Sequence, residues 1–217
     1  MPPILRLYED TLTSGAREVT LPALARMIFV VHGAAVINGK RLAREETWHG
    51  EAAVRMVAGE EGVTLWRYEL SAGGSTGLSI VAPGVRSREK LSALLDTIPT
   101  GALLMRGDSV AFPPGGCAYL HRHAGPGIRC LIEGGIRIDT HGRSTSYGPG
   151  SPWYETGVDP VFAQAAADRP TRFIRVMILP RELLGKSSFR FVNEEDKAKP
   201  RVQQYKVFVD APIETPR

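Results

Sequence analysis

Two histidines stand two residues apart between Gly115 and Gly134, at His121 and His123. In an extended strand, residues at i and i+2 point to the same face. Neutral imidazoles on one face can hold one transition-metal ion at about 2.0–2.2 Å each. A Pro/Gly turn follows at 124–127, and the next apolar run ends at Gly134. Such pairs also occur among surface or polar-core histidines, but the two framing glycines favour half of a metal site inside a β-barrel.

The composition is typical of a β-rich protein with many turns. The 217 residues include 23 glycines and 16 prolines, which fall between short apolar runs. This length allows one large β domain or two small ones. The chain carries 27 basic and 23 acidic residues. These are spread along its length without a block of like charge, which excludes a nucleic-acid-binding tract.

Cysteine usage and hydropathy bear on the compartment. Cys117 and Cys130 are too few for a disulfide framework and are typical of reduced thiols. The first ten residues include charges at Arg6, Glu9 and Asp10, which does not fit a signal peptide. No apolar run is long enough for a membrane-spanning helix. These features predict a cytoplasmic protein without membrane or nucleic-acid partners.

Two parts of the chain share one pattern. In each, a β run ends at His-Gly or Glu-Gly, a tryptophan opens a later strand, and an alternating apolar–polar strand closes the unit. Ordered self-similarity of this kind predicts duplicated β units, the alternative being chance similarity between two β-rich halves. The first unit has no counterpart of the histidine pair. The matching segments are 28–40, 46–54 and 63–70 in the first unit and 130–139, 151–161 and 172–177 in the second.

The repeat predicts four segments. Residues 1–80 form the first unit, and 81–100 form a connection. In that connection Ser87–Asp96 is predicted to be a short helix, with Ser87 as N-cap. Residues 101–182 form the unit with the histidines. Residues 183–217 form a C-terminal extension whose strand at 201–210 could complete a sheet edge or pair with a second subunit, giving a homodimer.

The second unit resembles the cupin superfamily, whose first motif is G-x5-H-x-H-x(3,4)-E-x6-G. Gly115, His121, His123 and Gly134 stand at matching positions. The motif glutamate is missing, since its place falls at 127 or 128.

The second cupin motif, G-x5-P-x-G-x2-H-x3-N, is poorly kept in the segment Gly142–Glu155. Its histidine position falls at Ser151 and its asparagine position at Glu155. The resemblance therefore supplies two of the four usual metal ligands. It implies an all-β fold of two duplicated jelly-roll barrels, that is a bicupin with a degenerate N-terminal unit, and a pocket at the barrel mouth.

Glu155 has two interpretations. It shares strand parity with Ser151, so it can face inward and join His121 and His123 as a two-histidine, one-carboxylate set. Alternatively it pairs with Arg129, because a guanidinium inside a barrel needs a carboxylate or an anionic ligand.

Four side chains are predicted to bind substrate. Arg129 can hold a carboxylate through its bidentate fork. Cys117 and Tyr119 share strand parity with His121 and are expected to line the pocket, and Trp153 can form its wall. His32, His49 and His141 fit structural or surface positions better than ligand positions.

Two main functions follow. The first is a mononuclear metalloenzyme with a divalent transition metal (Fe, Mn, Zn or Ni) on His121, His123 and Glu155. It would act on a small, anionic organic molecule as a dioxygenase or isomerase. The second is a cupin-type binding or sensing protein in which Arg129 anchors an anion and nothing is turned over. A third reading, an assembly subunit that dimerises, is compatible with either.

Overall fold

The computed structural model describes residues 1–215, and almost all of its regular structure is β-strand. The prediction of an all-β chain is confirmed. No helix among these residues is long and apolar enough to cross a membrane. The described residues divide into two compact units, residues 1–94 with 213–215 and residues 95–212.

The N-terminal unit is a single antiparallel sheet of seven strands. Its main order is β4-β3-β6-β1-β7, with β2 paired to β6 and β5 paired to β3. The register between the long strands β3 and β6 shifts at two places, and irregularities of this kind bend a strand. The strands are β1 (Ile4–Leu12), β2 (Val19–Leu21), β3 (Ala25–Ile37), β4 (Lys40–Ala43), β5 (Thr47–Gly50), β6 (Val54–Ser71) and β7 (Val85–Leu94).

The C-terminal unit has two five-stranded antiparallel sheets. Their orders are β13-β10-β15-β8-β17 and β12-β11-β14-β9-β16. Two short 3-10 turns, Arg181–Leu183 and Glu194–Ala198, lie between the last strands. The strands are β8 (Leu103–Phe112), β9 (Cys117–His123), β10 (Gly127–Glu133), β11 (Ile136–Thr140), β12 (Arg143–Tyr147), β13 (Pro152–Glu155), β14 (Val161–Ala165), β15 (Thr171–Pro180), β16 (Phe189–Phe191) and β17 (Gln204–Ile213).

The predicted helix at Ser87–Asp96 is wrong, because these residues mostly belong to strand β7. That strand pairs along its length with β1, and Leu91 lies opposite Leu7. The hydroxyl of Ser87 donates to Asp10 at 2.5 Å instead of capping a helix. The sheet ladder outweighs the helical spacing of the leucines, as tertiary pairing commonly does for short segments.

The strand orders and registers show which strands of the two units are equivalent. The order β3-β6-β1-β7 matches β10-β15-β8-β17. Ile28 of β3 lies opposite Arg67 of β6, and Arg129 of β10 lies opposite Arg175 of β15. The tryptophans of β5 and β13 are equivalent by the same registers. Arg67 and Arg175 therefore occupy the same place in the two barrels.

The interior of the N-terminal unit is part apolar and part ionic. A cluster that includes Leu12, Ile28 and Leu65 fills one part. Beside it lies a buried chain of alternating charges, which runs through Arg26, Glu69, Arg67 and Asp10. Its three links are Arg26 Nη2–Glu69 Oε1 at 2.8 Å, Arg67 Nη1–Glu69 Oε1 at 2.7 Å and Arg67 Nε–Asp10 Oδ2 at 2.6 Å.

Replacing one carboxylate tests whether this ionic chain is structural. Asp10→Asn leaves the Arg67 charge buried without its closest partner, so we expect a loss of about 3–5 kcal/mol in the free energy of unfolding. Urea denaturation followed by circular dichroism measures it. Asp168→Asn, which removes the exposed partner of Arg169, is the control and should leave the curve unchanged. Equal curves for both variants would contradict this view.

Candidate functional site

The inward faces of β8, β9, β10, β13 and β15 surround two spaces in the C-terminal barrel. The inner cavity has a volume of about 20 Å³ and is lined by both motif histidines, Arg129, Glu155 and Arg175 among others. The outer pocket has a volume of about 290 Å³ and reaches the surface; His123 and Arg175 lie in the walls of both. The predicted histidine pair is therefore inside the barrel, as the strand parity requires.

One ring nitrogen of His121 is hydrogen-bonded, and the other has no hydrogen-bond partner in the described part of the chain. Its Nδ1 lies 2.8 Å from the Tyr119 carbonyl oxygen, so this nitrogen carries the proton and donates. Its ring stacks on Phe189 at 4.4 Å between centroids. The Nε2 lone pair is left facing the inner cavity, and this is the orientation in which a metal-binding histidine is usually held.

His123 has both ring nitrogens engaged. Arg175 Nη1 lies 3.3 Å from Nε2, and because a guanidinium only donates, Nε2 accepts. Nδ1 then carries the proton and faces the Ser188 hydroxyl at 3.3 Å. Arg175 itself is held by Asp108 through two bonds, of 2.9 Å from Nε and 2.7 Å from Nη2. The lone pair that a metal would need is used by a fixed cation.

The structure resolves the two interpretations of Glu155 in favour of the ion pair. Glu155 Oε2 lies 2.8 Å from Arg129 Nη2, and Oε1 accepts a 2.9 Å bond from Trp153 Nε1. Arg129 is 1% exposed and also donates to the Gly127 carbonyl at 2.6 Å. Both carboxylate oxygens have protein partners here, so Glu155 adopts the ion-pair alternative, and its role as a metal ligand stays a prediction. Arg129 is not among the residues that line the outer pocket.

The place of the missing motif glutamate is also closed to a side chain. A Cβ on Gly127 would overlap the backbone carbonyl of Val176 and lie 2.9 Å from Met177 Cα. Ile128, the other candidate position, is fully buried on the face opposite Arg129, since strand residues alternate. No carboxylate could replace the ligand here without moving β10 away from β15.

The donor set does not fit a transition-metal ion. Within residues 1–215 no three His, Cys, Asp or Glu side chains come together as a potential metal site. Burial, reinforced by Arg175, Arg129 and the neighbouring imidazole, holds the pKa of His123 well below its usual range. Burial also lowers the pKa of His121, and the two arginines add to that. Two guanidinium groups that oppose a proton on these rings also oppose a divalent cation.

Cys117 and Tyr119 do not face the barrel interior, contrary to the parity expectation. The register between β14 and β9 shifts, with Val161 opposite His121 but Ala163 opposite Ala118. This irregularity adds a residue to β9, and an added residue reverses the alternation. Ala118 therefore lines the inner cavity in their place.

Trp153 lines the inner cavity as a packed core residue. It is 4% exposed and contacts the rings of Tyr147 and Phe173 at 4.9 and 5.1 Å between centroids. A space of about 20 Å³ holds roughly one water molecule. The inner cavity is therefore too small for an organic ligand.

The outer pocket brings together side chains that the motif did not indicate. Four cations line it, namely Arg106, Arg175, Lys186 and Arg201, against only two carboxylates, Asp108 and Asp210. Phe189, Tyr205 and Val207 provide apolar surface, and Gln203, Ser187 and Ser188 are its neutral polar groups. Arg175 is a member that the sequence could have revealed, since the repeat aligns it with Arg67.

Comparison with solved structures finds the same architecture at low sequence identity. The oxalate decarboxylase of Lactobacillus farciminis, solved as a formate complex, is 13% identical, with a TM-score of 0.63 over 90% of this chain and 82% of that one. A cupin 2 conserved barrel domain protein from Leptotrichia buccalis is 13% identical, with a TM-score of 0.50 over 82% and 84%. Salicylate 1,2-dioxygenase from Pseudaminobacter salicylatoxidans is 12% identical, with a TM-score of 0.52 over 93% and 75%.

These likenesses extend over most of both chains and confirm the resemblance at the level of the fold. No protein-family model matches the sequence, and no curated protein matches it either. At 12–13% identity the solved neighbours carry the fold and leave the activity to be argued from the site.

Metal analysis tests the reading of the histidine pair. After incubation with Mn(II), Fe(II) or Zn(II) and desalting, we expect no stoichiometric metal, because His123 Nε2 and both Glu155 oxygens are already bonded. The double variant His121→Ala/His123→Ala should give the same content by elemental analysis. One metal per chain in the wild type, lost in the double variant, would overturn this reading.

The low pKa of His123 predicts a dependence of stability on pH. The unfolded chain takes up a proton on this ring near pH 6.5, whereas the folded ring does not, so stability falls as the pH drops below about 6.5. His123→Gln keeps one donor and one acceptor but does not titrate. Between about pH 8 and about pH 5.5, the wild type should lose about 1 kcal/mol more than the variant in urea unfolding. Parallel losses would contradict the prediction.

Proposed function

We propose that this chain, whose fold is similar to that of the solved cupin structures, binds a small organic anion in the outer pocket of its C-terminal barrel without a metal ion. The observation that carries the proposal is the charge of that pocket. Arg106 and Arg175 are each paired with an aspartate. Lys186 and Arg201 have no ion-pair partner among the described residues, and the His123 ring is neutral.

Arg201 is placed to meet a ligand. Its guanidinium lies over the rings of Phe189 and Phe191, 5.4 and 4.7 Å from their centroids. Stacking on aromatic faces fixes the orientation of a guanidinium while leaving its N–H groups free for an anion. The side chain is exposed, so it can close on a ligand that enters from solvent.

The apolar surface of the pocket supports an organic ligand over an inorganic ion. Tyr205 and Val207 of the edge strand β17 are 52% and 56% exposed, and Phe189 adds apolar surface to the same pocket. A pocket with convergent charges and an apolar wall suits a molecule with an acidic group and an apolar body. The neighbouring structures are named for oxalate, formate and salicylate, which are all carboxylates.

The second candidate is a mononuclear metal-dependent oxygenase or isomerase. One observation favours it, namely the His121 Nε2 lone pair held toward the inner cavity with its ring oriented by the Tyr119 carbonyl. It requires Arg175 to leave His123 and Glu155 to leave Arg129. The first contact is a buried hydrogen bond from a guanidinium and the second is a buried ion pair, and breaking either is costly.

Calorimetric titration with benzoate, salicylate and oxalate separates the two candidates. We expect binding that is unchanged by EDTA and weakened about tenfold by Lys186→Ala/Arg201→Ala, since two partly screened charges contribute about 1.4 kcal/mol together. The matched control is Lys40→Ala/Arg143→Ala, which removes two exposed cations outside the pocket. Binding that depends on added Mn(II) or Fe(II), or that the pocket variant leaves intact, would reject the proposal.

A further inference from the structure

The two barrels carry buried arginines at equivalent places, Arg67 of β6 and Arg175 of β15, and each arginine is paired with an aspartate of the neighbouring strand. The two aspartates are not equivalent by register, since Asp108 lies directly opposite Arg175 whereas Tyr8 lies opposite Arg67. In the N-terminal barrel, Asp10 lies 2.6 Å from Arg67 Nε and 3.3 Å from Nη2. In the C-terminal barrel, Asp108 lies 2.9 Å from Arg175 Nε and 2.7 Å from Nη2. In both pairs the aspartate contacts the edge of the guanidinium that is formed by Nε and Nη2. The remaining N–H groups of the two arginines can therefore be compared directly.

In the N-terminal barrel the protein itself supplies the remaining acceptors. Arg67 Nη2 donates its other hydrogen to the Leu78 carbonyl oxygen at 3.1 Å, and the Leu78 N–H donates to the Tyr8 hydroxyl at 3.0 Å. The segment between β6 and β7 is held over the arginine in this way. The backbone of Gly77 packs closely against Tyr8 in this segment, because a Cβ at residue 77 would overlap the Tyr8 hydroxyl. A main-chain carbonyl thus lies where a ligand oxygen could bind.

In the C-terminal barrel that place is open. Arg175 Nη2 has Asp108 as its only acceptor in the described part of the chain, and Arg175 is one of the residues that line the outer pocket. The segment that follows β15 is held to one side by Arg106. This arginine donates to the Lys186 and Leu183 carbonyls, both at 2.7 Å, and pairs with Asp210.

We infer that a carboxylate oxygen of the ligand binds Arg175 Nη2, in the position that the Leu78 carbonyl holds on Arg67. The inference rests on the proposed function and names its chemical class and its anchoring atom. A planar oxygen acceptor fits the single open edge of the guanidinium, and the unpaired cations nearby favour a charged carboxylate over a neutral amide. Because the N-terminal barrel is filled by its own main chain, the stoichiometry is one ligand per chain.

The experiment compares equivalent substitutions in the two barrels. Arg175→Lys and Arg67→Lys both keep the charge beside an aspartate but lose the guanidinium fork. In calorimetric titrations with benzoate, we expect Arg175→Lys to raise the dissociation constant about 10- to 100-fold, and Arg67→Lys to leave it unchanged. Benzamide should bind the wild type more weakly than benzoate.

A second measurement uses the wild type alone, so it does not depend on the variants folding. In nitrogen-15 spectra of the arginine side chains, benzoate should shift the Arg175 signals and not those of Arg67. Suppose that benzoate binds and that Lys186→Ala/Arg201→Ala weakens its binding. If Arg175→Lys then leaves the dissociation constant unchanged and benzoate does not shift the Arg175 signals, the inference fails and the proposed function stands. If the wild type binds neither benzoate, salicylate nor oxalate, both fail.

Discussion

A guanidinium stays charged at every physiological pH, so a barrel that encloses one must also enclose a carboxylate. Both barrels of this chain meet that constraint on their central strands, with Arg67 against Asp10 and Arg175 against Asp108. Once these pairs are fixed, the rest of each interior is arranged around them. In the N-terminal barrel Arg67 also pairs with Glu69 and donates to the Leu78 carbonyl, so a main-chain oxygen takes the place that a ligand oxygen could hold.

The same constraint accounts for the state of the histidines. Arg175 takes the lone pair of His123 and, with burial, keeps both imidazoles neutral. Burial lowers the pKa of Arg129 to about 10, and Glu155 opposes that shift, which commits this carboxylate to the ion pair. The positive charge inside the C-terminal barrel is thus the guanidinium of a side chain, Arg175. Under the proposed function, the anion that this cation attracts is bound by the protein alone, in the outer pocket where Arg201 and Lys186 lie.

The sequence predicted the fold well and the site in part. The duplication, the inward histidines and the alternative pairing of Glu155 with Arg129 follow from strand parity, which is a local rule. Parity failed at Cys117 and Tyr119 because an irregularity in β9 reverses it, and such irregularities leave no clear mark in one sequence. The helix at 87–96 failed because pairing with β1 overrides local spacing. The outer pocket was missed because Arg175, Arg201 and Tyr205 come from separate segments that only tertiary structure unites.

The most direct measurement is a crystal structure of the protein grown with EDTA and then soaked in Mn(II) and benzoate, with anomalous data collected for manganese. The account predicts a carboxylate on Arg175 in the outer pocket, an intact bond between Arg175 and His123, and no anomalous peak at His121. A manganese peak bridging His121 and His123, with Arg175 displaced from the ring, would contradict it.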